Sequence, residues 1–142
     1  MDSTDVRTLL ARLPAHADLF SATEPVVVAR AAGRLDLMGG IADYSGSLVL
    51  QLPLAVAAVA AAQWSRDELV RVRPLSVGKS DWVHEASVPV GERLGDYASV
   101  RARLTADSRK RWLAYVAGAV TVLHRERGVA FPRGLRLLLS SD

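Results

Sequence analysis

Apolar residues along this chain change period several times, and each change marks an element. Val6, Leu9, Leu10 and Leu13 fall at helical spacing behind Ser3, Thr4 or Asp5 as candidate caps, and Pro14 ends the run. A turn or short helix is expected over Ala15 to Ser21. Pro25 precedes the β-branched run Val26 to Val28, which predicts a strand through Ala31. A turn-rich segment, Gly33 to Gly46, then leads into Leu48 to Leu54. Ala55 to Trp64 is ambiguous: its alanines favour a helix, and the proline before it favours a strand.

Leu69 to Arg73 alternates apolar and charged residues, as a half-buried strand does, and Trp82 to Val88 suits its hairpin neighbour across a connection at Ser76 to Asp81. Gly91 to Ser108 reads as irregular, with a short helix near Tyr97 to Leu104. Asp107 or Ser108 then caps the best helical pattern in the chain. Trp112, Tyr115, Val116, Ala119, Val122 and Leu123 form its predicted stripe, and Gly128 stops it. Gly134 to Leu139 reads as a buried strand.

Composition narrows the classes. The 142 residues suit about one domain. Half are hydrophobic and 23% are charged, which is enough to fold around a core. The net charge is +3, with basic residues scattered and no basic patch interleaved with aromatics, so a nucleic-acid partner is not expected. Arg109-Lys110-Arg111 reads as a solvated helix start. The absence of cysteine excludes disulfides, thiolate metal sites and cysteine nucleophiles, and fits a cytoplasmic protein. The apolar run Leu48 to Trp64 carries Gln51, Pro53 and Gln63 and falls short of the ~20 apolar residues of a membrane span. Asp2 and Asp5 argue against a signal peptide.

Most candidate motifs fail on spacing. Gly78-Lys79-Ser80 ends like a phosphate-binding loop, but Arg73 stands where the opening glycine is needed, so a surface turn is the better reading. His16, His84 and His124 lack metal-ligand spacing, and no metal site is expected. Trp112 and Tyr115, three apart, are expected to share a helix face, as core or as an aromatic wall for a planar ligand. Gly33 to Gly46 is richer. Its glycines permit close backbone approach, Asp43 can grip adjacent hydroxyls, and Arg34 can hold a carboxylate or a phosphoryl group. Read by itself, it also suits a polar turn between two strands.

The segment resembles the first signature of galactokinases in the GHMP superfamily, P-G-R-V-N-L-I-G-E-H-x-D-Y-x-G-G-x-V-L-P. Gly33, Arg34, Leu37, Gly39, Asp43, Tyr44, Gly46, Val49 and Leu50 match. Trp112, Tyr115 and Gly118 match a downstream W-x-x-Y-x-x-G. Arabinokinase-like members are more similar still, with G-R-L-D and G-G-I-A-D-Y-S-G. The resemblance implies an α+β fold, a mixed sheet with helices packed on one side, and it decides Ala55 to Trp64 as a strand. It implies an ATP-dependent sugar 1-kinase with Mg2+, acting on L-arabinose or galactose. Arg34 would be catalytic, supporting the aspartate base and the developing phosphoryl charge. Asp43 would bind the sugar, Tyr44 would buttress the turn, and Trp112 and Tyr115 would line the adenine pocket. Gly40 and Ile41 take the place of a Glu-His pair at the sugar. Losing those polar partners disfavours a hydroxyl-bearing C6, which would be buried unpaired, and so favours a pentopyranose.

Residues 1–142 would form the N-terminal part of such a kinase domain, short of the second, phosphate-binding motif P-x-x-x-G-L-x-S-S-A and of the C-terminal domain. Turnover by these residues alone is therefore not expected. A non-catalytic sugar-binding relative and an inert truncation are the other readings.

Overall fold

The fold was described from a computed structural model, covering residues 3–75, 81–91 and 95–141, the side chains of Ala42 and Asp43 excepted. Its elements are α1 (Thr4–Arg12), β1 (Val27–Met38), β2 (Leu50–Trp64), β3 (Leu69–Pro74), β4 (Ala86–Pro89), α2 (Tyr97–Thr105), α3 (Leu113–Arg127) and β5 (Leu135–Ser141). Five strands form one sheet in the order β1-β2-β5-β3-β4. Only the β3–β5 pairing is parallel, so the sheet is mixed.

Ala55 to Trp64 belongs to a single 15-residue strand, β2. Its alanines are poor strand formers, but β2 is bonded on both sides, with Ala61 opposite Val28 and Leu138. Two ladders outweigh a weak helical preference. β1 runs past the expected end at Ala31 to Met38, through the glycine-led start of the turn-rich segment. Register breaks at Ala32/Arg34 and Asp36/Met38 make this possible. Gly33 sits at the first break, where a Cβ would lie 3.3 Å from both Val56 Cγ2 and the Val56 carbonyl oxygen. Pro53 stands opposite Arg34, just past that irregularity, where a missing N–H is tolerated.

Successive strand residues face opposite ways, which divides the core in two. On one face Val70, Val72, Ala86 and Val88 pack with Leu135, Leu137 and Leu139 beneath α2 and α3. On the other, Ala57, Val59, Ala61 and Leu138 pack with Leu9 of α1 and Leu19. The two later helices thus share one side of the sheet, and α1 lies on the opposite side. Arg30 fastens α1 in place: its Nε donates to Asp5 Oδ2 at 2.7 Å and its Nη2 to the Ala55 carbonyl at 2.7 Å.

α3 corrects the predicted stripe. Its buried residues are Leu113, Ala117, Val120 and Thr121, not Tyr115, Ala119, Val122 and Leu123. Asp107 caps a short 3-10 turn, Ser108–Lys110, by accepting the Arg109 N–H, so α3 starts later than the capping pattern suggested. The helix does stop at Gly128, in the left-handed conformation at φ +64°. β4 forms the expected hairpin with β3 but starts at Ala86. Most of the connection, including Gly78-Lys79-Ser80, lies outside the described residues.

Candidate functional site at the tip of the first hairpin

β1 and β2 form a long antiparallel hairpin, and the segment between them, 39–49, is its tip. Gly39 and Gly46 turn the chain at φ +80° and +74°, conformations that glycine enters without steric cost. Between them Ala42–Ser45 winds one 3-10 turn.

Arg34 and Asp36 are two apart on β1, so both side chains leave the same face of the strand. Arg34 Nε lies 3.9 Å from Asp36 Oδ1, and that oxygen accepts a hydrogen bond from Gln51 Nε2 at 2.7 Å. Gly40 folds back over the same carboxylate: a Cβ there would meet Asp36 Oδ2 at 2.9 Å and Asp36 Cβ at 3.0 Å. The glycine at 40 lets the turn lie against this carboxylate, and a side chain there would have to push the exposed Asp36 side chain aside. The sequence offers Arg34 and Asp43 as the charged groups of the site, and the structure places Asp36 and Gln51 beside Arg34. Asp36 was signalled by its two-residue offset from Arg34, and Gln51 only by knowing the strand register.

Ile41 is 89% exposed and Tyr44 94% exposed. Tyr44 therefore does not buttress the turn within this chain, because its ring projects away from the protein. Among the described residues the tip is open: a charged strand end and a glycine turn with no wall above them. The side chain of Asp43, the expected sugar ligand, lies outside the described residues.

The two aromatic candidates separate. Trp112 is 9% exposed and packs in the core beneath α3, while Tyr115 is 86% exposed. At about 100° per residue, Tyr115 falls roughly 200° from Leu113, which places it opposite the buried line of the helix. The expected shared face is thus corrected, and the two rings make no continuous wall. Trp112 Nε1 is enclosed and has no hydrogen-bond partner among the described residues. Both rings also sit in the helical layer over β3, β4 and β5, away from the hairpin tip. Nor does any group of three acidic or histidine side chains among the described residues gather to hold a metal ion.

Three comparisons bear on this geometry. A family model for the galactokinase galactose-binding signature matches residues 14–63, from the end of α1 to the end of β2. An L-arabinokinase of Arabidopsis thaliana is 34% identical over 165 aligned positions, which cover 98% of this chain and 16% of that enzyme. Lactococcus lactis galactokinase, crystallised with galactose, superposes with a TM-score of 0.70 at 21% identity, over 95% of this chain and 31% of that one. This is a galactokinase/arabinokinase-like segment. The galactokinase-like fold accounts for the mixed sheet with its helices, and the matched signature spans the whole first hairpin. The segment is about a sixth of the length of the arabinokinase and under a third of the galactokinase. No helix among the described residues is long and apolar enough to cross a membrane.

Proposed function

We propose that this galactokinase-like segment supplies the sugar-binding hairpin of an ATP-dependent kinase that phosphorylates the anomeric hydroxyl of L-arabinose or galactose. The observation that carries the proposal is the hairpin tip. Gly40 closes over Asp36, and Asp36 holds Gln51 and faces Arg34, in a segment matched by the galactose-binding signature.

Each residue then has a role set by its chemistry. Asp43 accepts from two adjacent sugar hydroxyls, which suits an acceptor-only carboxylate with two oxygens. Arg34, kept at the strand end by Asp36, supplies fixed charge where phosphoryl transfer needs electrostatic positioning. Ile41 and Gly40 offer no hydrogen bond, so the pocket suits a ring carbon without a hydroxymethyl group. That points to L-arabinose over galactose. ATP and Mg2+ enter as co-substrate and cation of the whole kinase. The described residues do not assemble a cradle for either, and their ligands are assigned to the remainder of such an enzyme. The likeness to proteins of sugar metabolism also suits a cytoplasmic setting.

The test is coupled ADP release from an enzyme carrying these residues within a complete kinase. The kcat/KM for L-arabinose should exceed that for galactose by about tenfold or more, one polar mismatch at C6. Asp43→Ala should lower kcat/KM for both sugars by at least about tenfold. Equal use of the two sugars removes the role given to Gly40 and Ile41. Unchanged kinetics in the Asp43 variant removes the sugar site itself. The 142-residue chain alone should show no sugar-dependent ADP release.

A further inference from the structure

At the end of the sheet remote from the hairpin tip, a cavity of about 380 Å³ is lined by Ser21, Thr23, Glu24, Trp64, Ser65, Arg66 and Arg136. β1 runs from Val27, near Trp64, to Met38 at the tip, which separates the two places by roughly 35 Å at ~3.3 Å per residue. The cavity is of ordinary size for a small-molecule site.

Its cationic character is unbalanced. Arg136 lies on the central strand β5 and is only partly exposed, and its Nε is enclosed with no hydrogen-bond partner among the described residues. Its neighbour in the parallel ladder is another cation, Arg71. Like charges side by side in a sheet repel. Arg71 has its own counter-charges, Asp67 at 3.6 Å and Glu85 at 4.0 Å. Asp67 also accepts from Ser65 Oγ at 2.7 Å and from the Leu69 N–H at 3.2 Å, and its charge is shared between Arg71 and Arg136. Glu24, the one acid in the lining, is paired with Arg133 at 3.3 Å, which leaves the two lining arginines in excess. Arg66 is exposed beside the opening.

The other lining groups suit an anion. Ser21 and Thr23 share one hydrogen bond between their hydroxyls at 2.9 Å, which leaves one hydroxyl proton of the pair to donate outward. The floor is rigid. Gln63, buried on β2, accepts from the Ser21 N–H at 2.7 Å and donates to the Ser21 and Glu24 carbonyls at 2.9 and 2.8 Å. On the far side, the Ser65 N–H donates to the Gly134 carbonyl at 2.8 Å and the Gly134 N–H to the Asp67 carbonyl at 2.6 Å. Trp64 walls the cavity, with the Arg133 guanidinium 5.7 Å from its ring centroid.

We propose that this cavity binds a small phosphate-bearing anion, with Arg136 and Arg66 as its cationic ligands and the Ser21–Thr23 pair as hydroxyl donor. A guanidinium with an unpaired buried N–H gains a charge-assisted bond when a phosphate oxygen reaches it. The proposal is independent of the kinase reading, since it uses no residue of the hairpin tip.

The experiment is a titration of the nitrogen-15-labelled 142-residue chain, followed by NMR at the Arg136 Nε–H, the Trp64 indole and the Arg66 amide. Inorganic phosphate is the probe in one arm and acetate in the other, with sodium chloride balancing ionic strength. Phosphate should give saturable shifts at all three groups, and acetate should bind about tenfold more weakly or less. Arg136→Gln and Arg66→Gln should each weaken phosphate binding by about tenfold, one charge-assisted bond. Arg66 is exposed, so its variant keeps the fold and the test stands even if Arg136→Gln does not. Shifts that chloride reproduces, equal binding of acetate, or phosphate binding unchanged in Arg66→Gln would each overturn the assignment.

Discussion

At the scale of single residues, two positions decide local structure through what surrounds them. A Cβ on Gly134 would collide with Asp67 Oδ1, the Leu69 carbonyl and Ser65 Oγ, two of them held in the turn by their own hydrogen bonds. Gly134→Ala should therefore lower stability by ~1–3 kcal/mol, the cost of overpacking a rigid site, in urea denaturation. A loss within ~0.3 kcal/mol would mean that the turn relaxes freely. Arg73 is the second position. It donates twice to Asp18, at 2.9 and 2.7 Å, and twice to Glu85, at 2.9 and 2.6 Å. Those bonds from Arg73 hold the Asp18 carboxyl below its ordinary range, outweighing the opposite push of desolvation, and the guanidinium charge adds to them. A lowered carboxylate stabilises the fold above the unfolded pKa of about 3.9 and loses that contribution as pH falls through the folded value. The stability gap between the wild type and Arg73→Gln should thus be full at neutral pH and shrink below about pH 4. A gap that is constant down to acid unfolding would assign Arg73 a packing role instead. Neither role was legible from the chain, because Arg73 reads as the polar phase of a strand and its partners lie 55 and 12 residues away. Tyr115 was misread for a related reason. Apolar spacing cannot choose between adjacent stripes of an alanine-rich helix, and the stripe through Leu113 and Ala117 meets the sheet.

At the scale of elements, the first hairpin has two halves of different character. Near Val28 and Ala61 it is covered by α1 and bonded to β5, while Leu35, Leu37, Leu50 and Leu52 beyond the Gly33 break are exposed. Local opening free energy follows buried contact, so the far half should open independently of the core. Amide exchange at Leu35 and Leu52 should be faster than at Ala61 by about tenfold or more. Equal protection would show that the hairpin opens as one unit. The element pattern was largely legible: α1, β3, α2 and the stop at Gly128 all follow from caps and period. The lengths of β1 and β2 were not, because glycine and proline mark turns in isolation. At Gly33 and Pro53 they mark register breaks between strands that continue, which only the paired strand reveals.

At the scale of the whole molecule, the galactokinase-like sheet was legible through one signature and the order of elements around it. The opposite placement of α1 was not, since nothing local says which face of a sheet a helix will cover. The second cavity was equally hidden, because Arg66, Arg136 and Ser21 are far apart in the chain. β1 terminates the strand order and runs for 12 residues. Its outer row of N–H and C=O groups has no strand beside it among the described residues, which makes it a template for another chain. The charges of Arg34 and Asp36 then act as gatekeepers, apart from the role proposed for them at the hairpin tip, since a second strand laid alongside would have to desolvate both. Replacing both by valine should lower the protein concentration at which light scattering first detects association. An onset unmoved by the double replacement would show that the turns at either end of the strand guard the edge without help. The two charges proposed for a ligand site would then also set the solubility of the sheet that carries them.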